Sequence, residues 1–165
     1  MEVLEIKLSR QKHTLLGIKL IDNDSWIILN DNPGDYILDG YRFVNKRFIK
    51  RETKLADDNI KNKILNLKYQ SDIIKPLEAI PLNNYKILFS YLKEQGVLVE
   101  VTLETDEYIL IGKIVDVFEK SFVLEKISTS AIIFGKENLK FSLVRCVAMK
   151  TDYLRSFELY LDSEK

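Results

Sequence analysis

The sequence predicts a mainly β protein made of two tandem units, each a small bent sheet or barrel, with one or two short helices. Two observations lead to this fold class. Apolar and polar residues alternate over 4–8 and 99–103, which is typical of half-buried strands. In addition, the stretch 3–17 matches 98–112 without a gap at an offset of 95 residues, which indicates an internal repeat.

Each copy of the repeat has a glycine inside its second strand. Gly17 aligns with Gly112, and the two lie within predicted strands at 13–22 and 108–118. A glycine inside a strand indicates a bulge or a sharp bend because it lacks Cβ. We therefore expect both units to bend at these glycines and to curl toward a barrel.

The later strands continue the repeat with one irregularity. One extra residue enters the second copy after its glycine, so that Trp26 falls on Phe122 in the third strand. The offset then returns to 95 residues. The further predicted strands are 25–29 and 121–127, followed by 41–51 and 139–149.

Helical spacing appears between the two copies. Apolar residues over 57–67 recur at helical intervals, and a second helix at 84–95 is capped by Asn83 or Asn84 and ends at Gly96. The tail, 152–161, fits either a closing strand or a helix face. The predicted organisation is a first β unit at 1–56, a connector at 57–82 that contains helix and proline, and a second β unit with an N-terminal helix at 83–165.

Composition narrows the functional classes. The 165 residues contain 25 Lys and Arg against 25 Asp and Glu, so a nucleic-acid site would have to be a local patch. Cys146 is the single cysteine and cannot form an internal disulfide. The N-terminus does not resemble a signal peptide, and no apolar run reaches the length of a membrane span. We therefore expect a cytoplasmic protein without a membrane span.

The second copy carries a recognisable pattern. The stretch 96–103 has the form of a first strand that follows an N-terminal helix. The glycine, spaced aliphatic residues and aromatic-acidic pair of 112–119, followed by the aliphatic strand 122–124, resemble the first Sm motif. Residues 84–149 therefore resemble the Sm-like fold, an SH3-like barrel, and within it the bacterial Hfq family of RNA chaperones. The first copy, 3–50, fits the pattern less closely and lacks the helix.

The resemblance implies a non-enzymatic module that binds RNA or another single strand. Hfq proteins place a Tyr-Lys-His signature near their last strands, and the stretch that matches it here, 138–143, has no histidine. The Arg-Gly pair of classical Sm proteins is also absent, and those proteins are single-copy ring subunits. The alternative function is a protein-interaction or structural adaptor, with a protein partner or a second copy of the chain bound through edge strands or the 84–95 helix.

The strongest candidate binding segment is basic and aromatic. Its cations are Arg42, Lys46, Arg47, Lys50 and Arg51, and its interleaved aromatic residues are Tyr41, Phe43 and Phe48. Single-stranded nucleic acid is bound by such sets, with cations on phosphates and bases on aromatic rings. Alternatively, the cations face water and prevent edge pairing. Strand alternation would place Arg42, Lys46 and Lys50 on one face.

Other chemistry-bearing residues do not form a catalytic pattern. His13 is the only histidine and cannot by itself supply a metal site or a triad. Cys146 lies in a predicted strand, where a buried, unreactive thiol is expected. Asp31, Asp35 and Asp39 lack the spacing of a calcium loop and are interpreted as turn formers. We therefore expect no enzymatic activity, cofactor or metal.

Overall fold

The computed structural model describes residues 1–69, 82, 84–104 and 109–164. The mainly β class is confirmed, and the described residues form ten strands and three α-helices, where one or two helices were expected. The first half of the chain contains β1 (Val3–Leu8), β2 (Thr14–Asp22), β3 (Trp26–Asp31), β4 (Tyr41–Asn45) and β5 (Ile49–Lys54). The second half contains β6 (Val99–Thr102), β7 (Ile109–Val117), β8 (Ser121–Ile127), β9 (Ile133–Lys140) and β10 (Cys146–Met149). The helices are α1 (Ile60–Lys68), α2 (Tyr85–Glu94) and α3 (Asp152–Ser163).

The strands form one continuous antiparallel sheet in the order β5-β1-β2-β3-β4-β10-β6-β7-β8-β9. The two halves join where β4 pairs with β10, with Val44 opposite Cys146 and Tyr41 opposite Met149. β10 also pairs with β6 on its other side, and its four residues are all buried. The last strand of the chain thus lies at the centre of the sheet, and β5 and β9 form its two edges.

The pairing registers recur between the halves. Leu4 lies opposite Gly17 in β1 and β2, and residues 95 positions later, Val99 and Gly112, form the same pair in β6 and β7. The third strand obeys the same offset, because Gly17 faces Asp31 and Gly112 faces Lys126. Both second strands also bulge at equivalent places, between residues 19 and 21 and between residues 114 and 116.

The expected extra residue in the second copy is therefore wrong. Ile27 pairs with Val44, as Phe122 pairs with Leu139, so Ile27 occupies the place of Phe122. Trp26 is instead equivalent to Ser121. The sequence match placed Trp26 on Phe122 because each is an aromatic residue that follows a serine. In the sheet, the strand register decides which residues are equivalent.

The two aligned glycines permit close approach between strands. A Cβ added at Gly17 would lie 2.5 Å from the backbone oxygen of Asn30, and one at Gly112 would overlap the backbone oxygen of Glu125. Any side chain would therefore push β2 away from β3 and β7 away from β8. Both positions require glycine for space within the sheet.

The hydrophobic core follows the same offset of 95 residues. Leu4, Ile6 and Leu8 pack with Ile27 and Val44 in the first half. Their equivalents in the second half belong to a larger cluster, which also takes in the buried face of α2. Through Leu88, Phe89 and Leu92, that helix packs with residues of both halves, including Trp26, Phe43 and Phe122. α2 therefore fixes the junction between the halves.

Side-chain caps determine where the helices begin. The Asn59 side chain caps α1, and the side chain of Asn84 accepts a hydrogen bond from the backbone N–H of Ile87, so Asn84 caps α2. The hydroxyl of Thr151 accepts from the N–H of Leu154, and the tail is helix α3 with Leu154 buried. Of the two alternatives for the tail, the structure therefore has the helix.

The two long strands expected at 41–51 and 139–149 are interrupted. A 3₁₀ turn at Lys46–Phe48 separates β4 from β5, and one at Phe141–Leu143 precedes β10. The break is required because β4 pairs with β3, whereas β5 pairs with β1 on the far side of the first half. The expected common face of Arg42, Lys46 and Lys50 is consequently wrong. Within the predicted connector, 70–81 lies outside the described residues.

Candidate functional site

The two 3₁₀ turns lie close together at the junction of the halves. Asn45, which precedes the first turn, is 1% exposed. Its side-chain nitrogen donates to the backbone oxygen of Val144 at 2.9 Å and to the Tyr85 hydroxyl at 3.1 Å. Its side-chain oxygen accepts from the N–H of Arg47. One buried amide therefore connects the first turn, the end of the second turn and the start of α2.

A cleft opens beside these three elements. We call it the α2 cleft, and its volume is about 620 Å³. The first turn contributes one residue and the start of α2 contributes three. The rest come from the β7–β8 connection, the start of β8, β9 and the second turn. Its lining residues are Arg47, Asn84, Tyr85, Lys86, Glu119, Lys120, Ser121, Asn138, Lys140, Phe141 and Ser142.

The charge of the α2 cleft is strongly positive, although the chain is neutral. Four lining residues are cations and one is a carboxylate, which leaves an excess of three positive charges. Lys86 donates to Glu119 at 2.7 Å, and this hydrogen bond and charge lower the pKa of Glu119. Among the described residues, Arg47, Lys120 and Lys140 form no ion pair. Three cations around the cleft are thus available for an anionic ligand.

An aromatic wall supports one side of the cleft. The rings of Tyr85 and Phe141 are nearly parallel, at 16° and 5.8 Å between centroids, and Phe141 continues the stack onto Phe122 at 5.9 Å. Phe141 is buried, and its N–H donates to the backbone oxygen of Lys120 at 3.2 Å. The wall is held by packing on Phe89 as well, at 5.0 Å. It therefore offers a preformed apolar surface beside the cations.

The arrangement suits an anionic, planar ligand. Cations attract phosphate, the half-buried Tyr85 ring provides an apolar contact for a base, and the amides and hydroxyls of Asn84, Asn138, Ser121 and Ser142 offer donors and acceptors to a base or sugar. The lining contains neither a histidine nor a cysteine. The cleft therefore has the charge and the polar groups that binding of an anionic ligand requires.

Two cations of the predicted basic segment serve the fold. Arg42 contacts Asp31 at 2.8 Å and Glu100 at 3.6 Å, with its side chain 15% exposed. Burial disfavours the charged guanidinium, but Cys146 and the two carboxylates outweigh this effect and raise the pKa of Arg42. Lys46 contacts Asp22 at 2.8 Å and also donates to a backbone oxygen.

The rest of the predicted segment is dispersed. Lys50 and Arg51 lie on the edge strand β5, where Arg51 is 3.5 Å from Glu5. Phe43 is fully buried, and Tyr41 and Phe48 are half-buried against the core. Of the eight residues, the structure brings only Arg47 into the α2 cleft.

Sequence reasoning missed most of the cleft. Tyr85, Lys86 and Lys120 lie far from the basic segment in the chain and carry no local signal. Lys140 and Phe141 did have one, since they fall in the stretch 138–143, which the predicted resemblance aligned with an RNA signature. This stretch lacks the histidine of the signature, so its residue identities did not indicate a site.

The remaining candidates do not assemble into a site. Cys146 is buried in β10, with its sulfur 3.8 Å from Arg42. Asp31 pairs with Arg42, and Asp39 instead accepts from the N–H of Asp152 at the start of α3. Within the described parts of the chain, no group of three or more His, Cys, Asp or Glu could hold a metal ion. The described helices include none that is both long and apolar enough to cross a membrane.

Comparison of the chain with protein-family models, with curated proteins and with solved structures gives no match.

Proposed function

We propose that this chain is a non-enzymatic binding protein for single-stranded RNA and that the α2 cleft receives one of its nucleotides. The observation that carries the proposal is an excess of three positive charges around a preformed aromatic wall, in a chain of zero net charge. Cations that release counterions on binding phosphate dominate affinity for nucleic acid, and aromatic contacts with a base add about 1–3 kcal/mol.

The position of the cleft supports the same proposal. Lys140 and Phe141 occupy the stretch that the Sm-like resemblance aligns with an RNA signature, and the cleft extends from there to the start of α2. The pairing registers that recur at an offset of 95 residues support the interpretation of the chain as two tandem Sm-like units. In this proposal, Lys140 replaces part of the missing signature as a phosphate contact.

The test compares two charge-matched variants. Arg47/Lys120/Lys140→Gln removes the three cleft cations without a described ion pair, and Lys50/Arg51/Lys54→Gln removes one arginine and two lysines from the exposed edge strand β5. Binding of labelled oligouridine, oligoadenine and the matching DNA is measured by fluorescence anisotropy at several salt concentrations.

We expect the cleft variant to lose most of its affinity for RNA and the edge variant to bind almost as the wild type does. Three lost contacts at about 0.7 each lower the salt slope by about 2 on a log–log plot. A larger loss in the edge variant would instead locate the site in the basic segment that the sequence predicted. Absence of binding to all three oligonucleotides at low salt would reject the proposal.

A protein-interaction role is the second candidate, because one surface favours it. Ile132, Ile133 and Phe134 are each more than half exposed at the start of β9, an edge of the sheet. Exposed apolar residues in series mark contact sites for other proteins. Wild type that binds no oligonucleotide, together with an Ile133/Phe134→Ser variant that changes its sedimentation behaviour, would favour this candidate.

A further inference from the structure

A second, smaller cleft adjoins the α2 cleft. We call it the arginine cleft, and its volume is about 330 Å³. It lies where the β1–β2 connection of the first half meets the second 3₁₀ turn. Its lining includes Ser9, Arg10, Phe48, Glu104, Ser142 and Arg145. Ser142 lines both clefts, so the two are neighbours along one surface.

Arg145 is a buried charge without an ionic partner among the described residues. It is 5% exposed, and no described residue forms an ion pair with it. Its Nε donates to the backbone oxygen of Ser9 at 3.1 Å, its Nη1 donates to that of Leu103 at 2.6 Å, and its guanidinium lies 4.5 Å from the Phe48 ring centroid. Neutral carbonyls and a ring hold the guanidinium but do not balance its charge, and a buried unpaired charge is costly.

Neighbouring groups also act on the charge of Arg145. Burial lowers the pKa of Arg145, the neighbouring charge of Arg10 lowers it further, and Glu104 opposes both effects only in part. Arg10 is exposed, has left-handed backbone geometry with φ of 58°, and forms no ion pair with the described residues. Among the described lining residues, two arginines therefore share one small cleft with one carboxylate, that of Glu104.

We propose that Arg10 and Arg145 bind a backbone phosphate of the same RNA strand whose neighbouring nucleotide occupies the α2 cleft. The inference rests on the proposed function. A phosphate would supply the anion that Arg145 lacks, and arginine forms the bidentate hydrogen bonds that phosphate oxygens accept. Ser142, shared by the two clefts, marks the path of the strand from base to phosphate.

The primary test uses Arg10→Gln, because Arg10 is exposed and its substitution leaves the core intact. Arg51→Gln, an exposed arginine on β5, is the matched control. Labelled oligouridine is titrated against the wild type and both variants at several salt concentrations. We expect Arg10→Gln to weaken binding on the order of tenfold and to reduce the salt slope by about 0.7, one contact, while Arg51→Gln changes neither.

Further arms separate the possible outcomes. Replacement of the phosphodiesters of oligouridine by neutral methylphosphonates should remove the difference between the wild type and Arg10→Gln. Arg145→Lys, which keeps the charge, should weaken binding through loss of the bidentate geometry, with its fold checked by circular dichroism. Inorganic phosphate should compete only at concentrations far above those of the oligonucleotide, since it has no base for the α2 cleft.

Three results would overturn the inference in different ways. If Arg10→Gln binds oligouridine as the wild type does, while the Arg47/Lys120/Lys140→Gln variant does not bind, the arginine cleft is rejected and the α2 cleft stands. If the wild type binds no oligouridine, both proposals fail. Competition by inorganic phosphate as strong as that by the oligonucleotide would make the ligand a free anion and would reject the strand.

Discussion

The side-chain nitrogen of Asn45 donates a hydrogen bond to the Tyr85 hydroxyl at 3.1 Å across the junction of the two halves. The same nitrogen donates to the backbone oxygen of Val144. Because Asn45 precedes the first 3₁₀ turn and Tyr85 begins α2, this buried contact sets where the helix starts relative to the turn that carries Arg47. The shape of the α2 cleft therefore depends on one amide outside its lining.

Substitution of Asn45 should destabilise the protein and distort the cleft. Asn45→Ala leaves the Val144 oxygen and the Arg47 N–H without their buried partner, and we expect a loss of about 2–3 kcal/mol in the free energy of unfolding. Tyr85→Phe removes only the hydroxyl and should cost about 1 kcal/mol. Urea unfolding followed by circular dichroism measures both values. Equal stability of Asn45→Ala and wild type would show that the contact contributes nothing.

The strand glycines offer a sharper test of the sheet. A Cβ at Gly17 or Gly112 would meet a backbone oxygen of the adjacent strand, whereas one at Gly34 has no atom within 4 Å. We expect Gly17→Ala and Gly112→Ala each to lower the free energy of unfolding by about 2–4 kcal/mol, because strands must move apart. Gly34→Ala, the matched control, should lie within about 0.5 kcal/mol of the wild type.

Arg42 should matter for stability and not for RNA contact. Arg42→Met leaves the Asp31 carboxylate, 4% exposed, without its partner, and we expect a loss of about 3–5 kcal/mol. The double substitution Asp31→Leu with Arg42→Met removes both charges and should recover much of that loss. The pKa of Arg42 is raised above its already high ordinary value. The stability that the charged guanidinium contributes is therefore fully present at any pH below that ordinary value, and it is lost only in strong alkali. A double-mutant cycle measures the coupling, and additive losses would contradict it.

Much of the secondary structure follows from local patterns in the sequence. The alternation of apolar and polar residues predicted most of the strands, and the capping residues and the spacing of apolar residues predicted α1 and α2. The 3₁₀ turns were missed because alternation continues through Lys46–Phe48, and the corner there is imposed by the pairing of β5 with β1. Such pairing depends on residues far apart in the chain, which no local pattern reports.

The candidate site was harder to predict from the sequence for the same reason. Arg42 looked like a ligand-binding cation because its partner, Asp31, precedes it by a whole loop and the neighbouring strand brings the two together. The α2 cleft combines Arg47 with Tyr85, Lys120 and Lys140, four residues from four separate parts of the sequence. Only the predicted resemblance over 138–143 indicated the α2 cleft. It did so because the stretch aligns with the position of a signature, although its residues differ from that signature.

The carboxylate of Glu119 should limit the affinity of the α2 cleft for RNA. It is the single acid among the described lining residues, and it pairs with Lys86. Glu119→Gln removes a repulsive charge and releases Lys86 toward phosphate, so we expect oligouridine to bind about two- to fivefold more tightly at low salt. Since the pKa of Glu119 is lowered, the carboxylate stays charged between pH 5 and 8. Its protonation therefore gives the wild type no pH dependence in that range, and a titration of binding against pH checks this.

The edges of the sheet should keep the chain from assembling end to end. At the junction of the halves, Tyr41 of β4 pairs with Met149 of β10. The residue 95 positions after Tyr41 is Lys136 in β9, and the residue 95 positions before Met149 is Lys54 in β5, so both equivalents lie on the outer edges. Pairing of β9 with β5 of another copy in the same register would place these two lysines opposite each other. Like charges directly opposite are unfavourable, and lysines on edge strands are a known protection against pairing.

We therefore expect a monomer whose mass, measured by size exclusion with light scattering, does not change with protein concentration. The double variant Lys54→Val with Lys136→Val removes the repulsion and extends the apolar character of the inner junction to the outer edges, so it should self-associate. Lys63→Val, on the exposed side of α1, changes hydrophobicity without touching an edge and should remain monomeric. Stable rings or filaments of the wild type would show that the charged edges do pair, and the argument from the lysines would then be wrong.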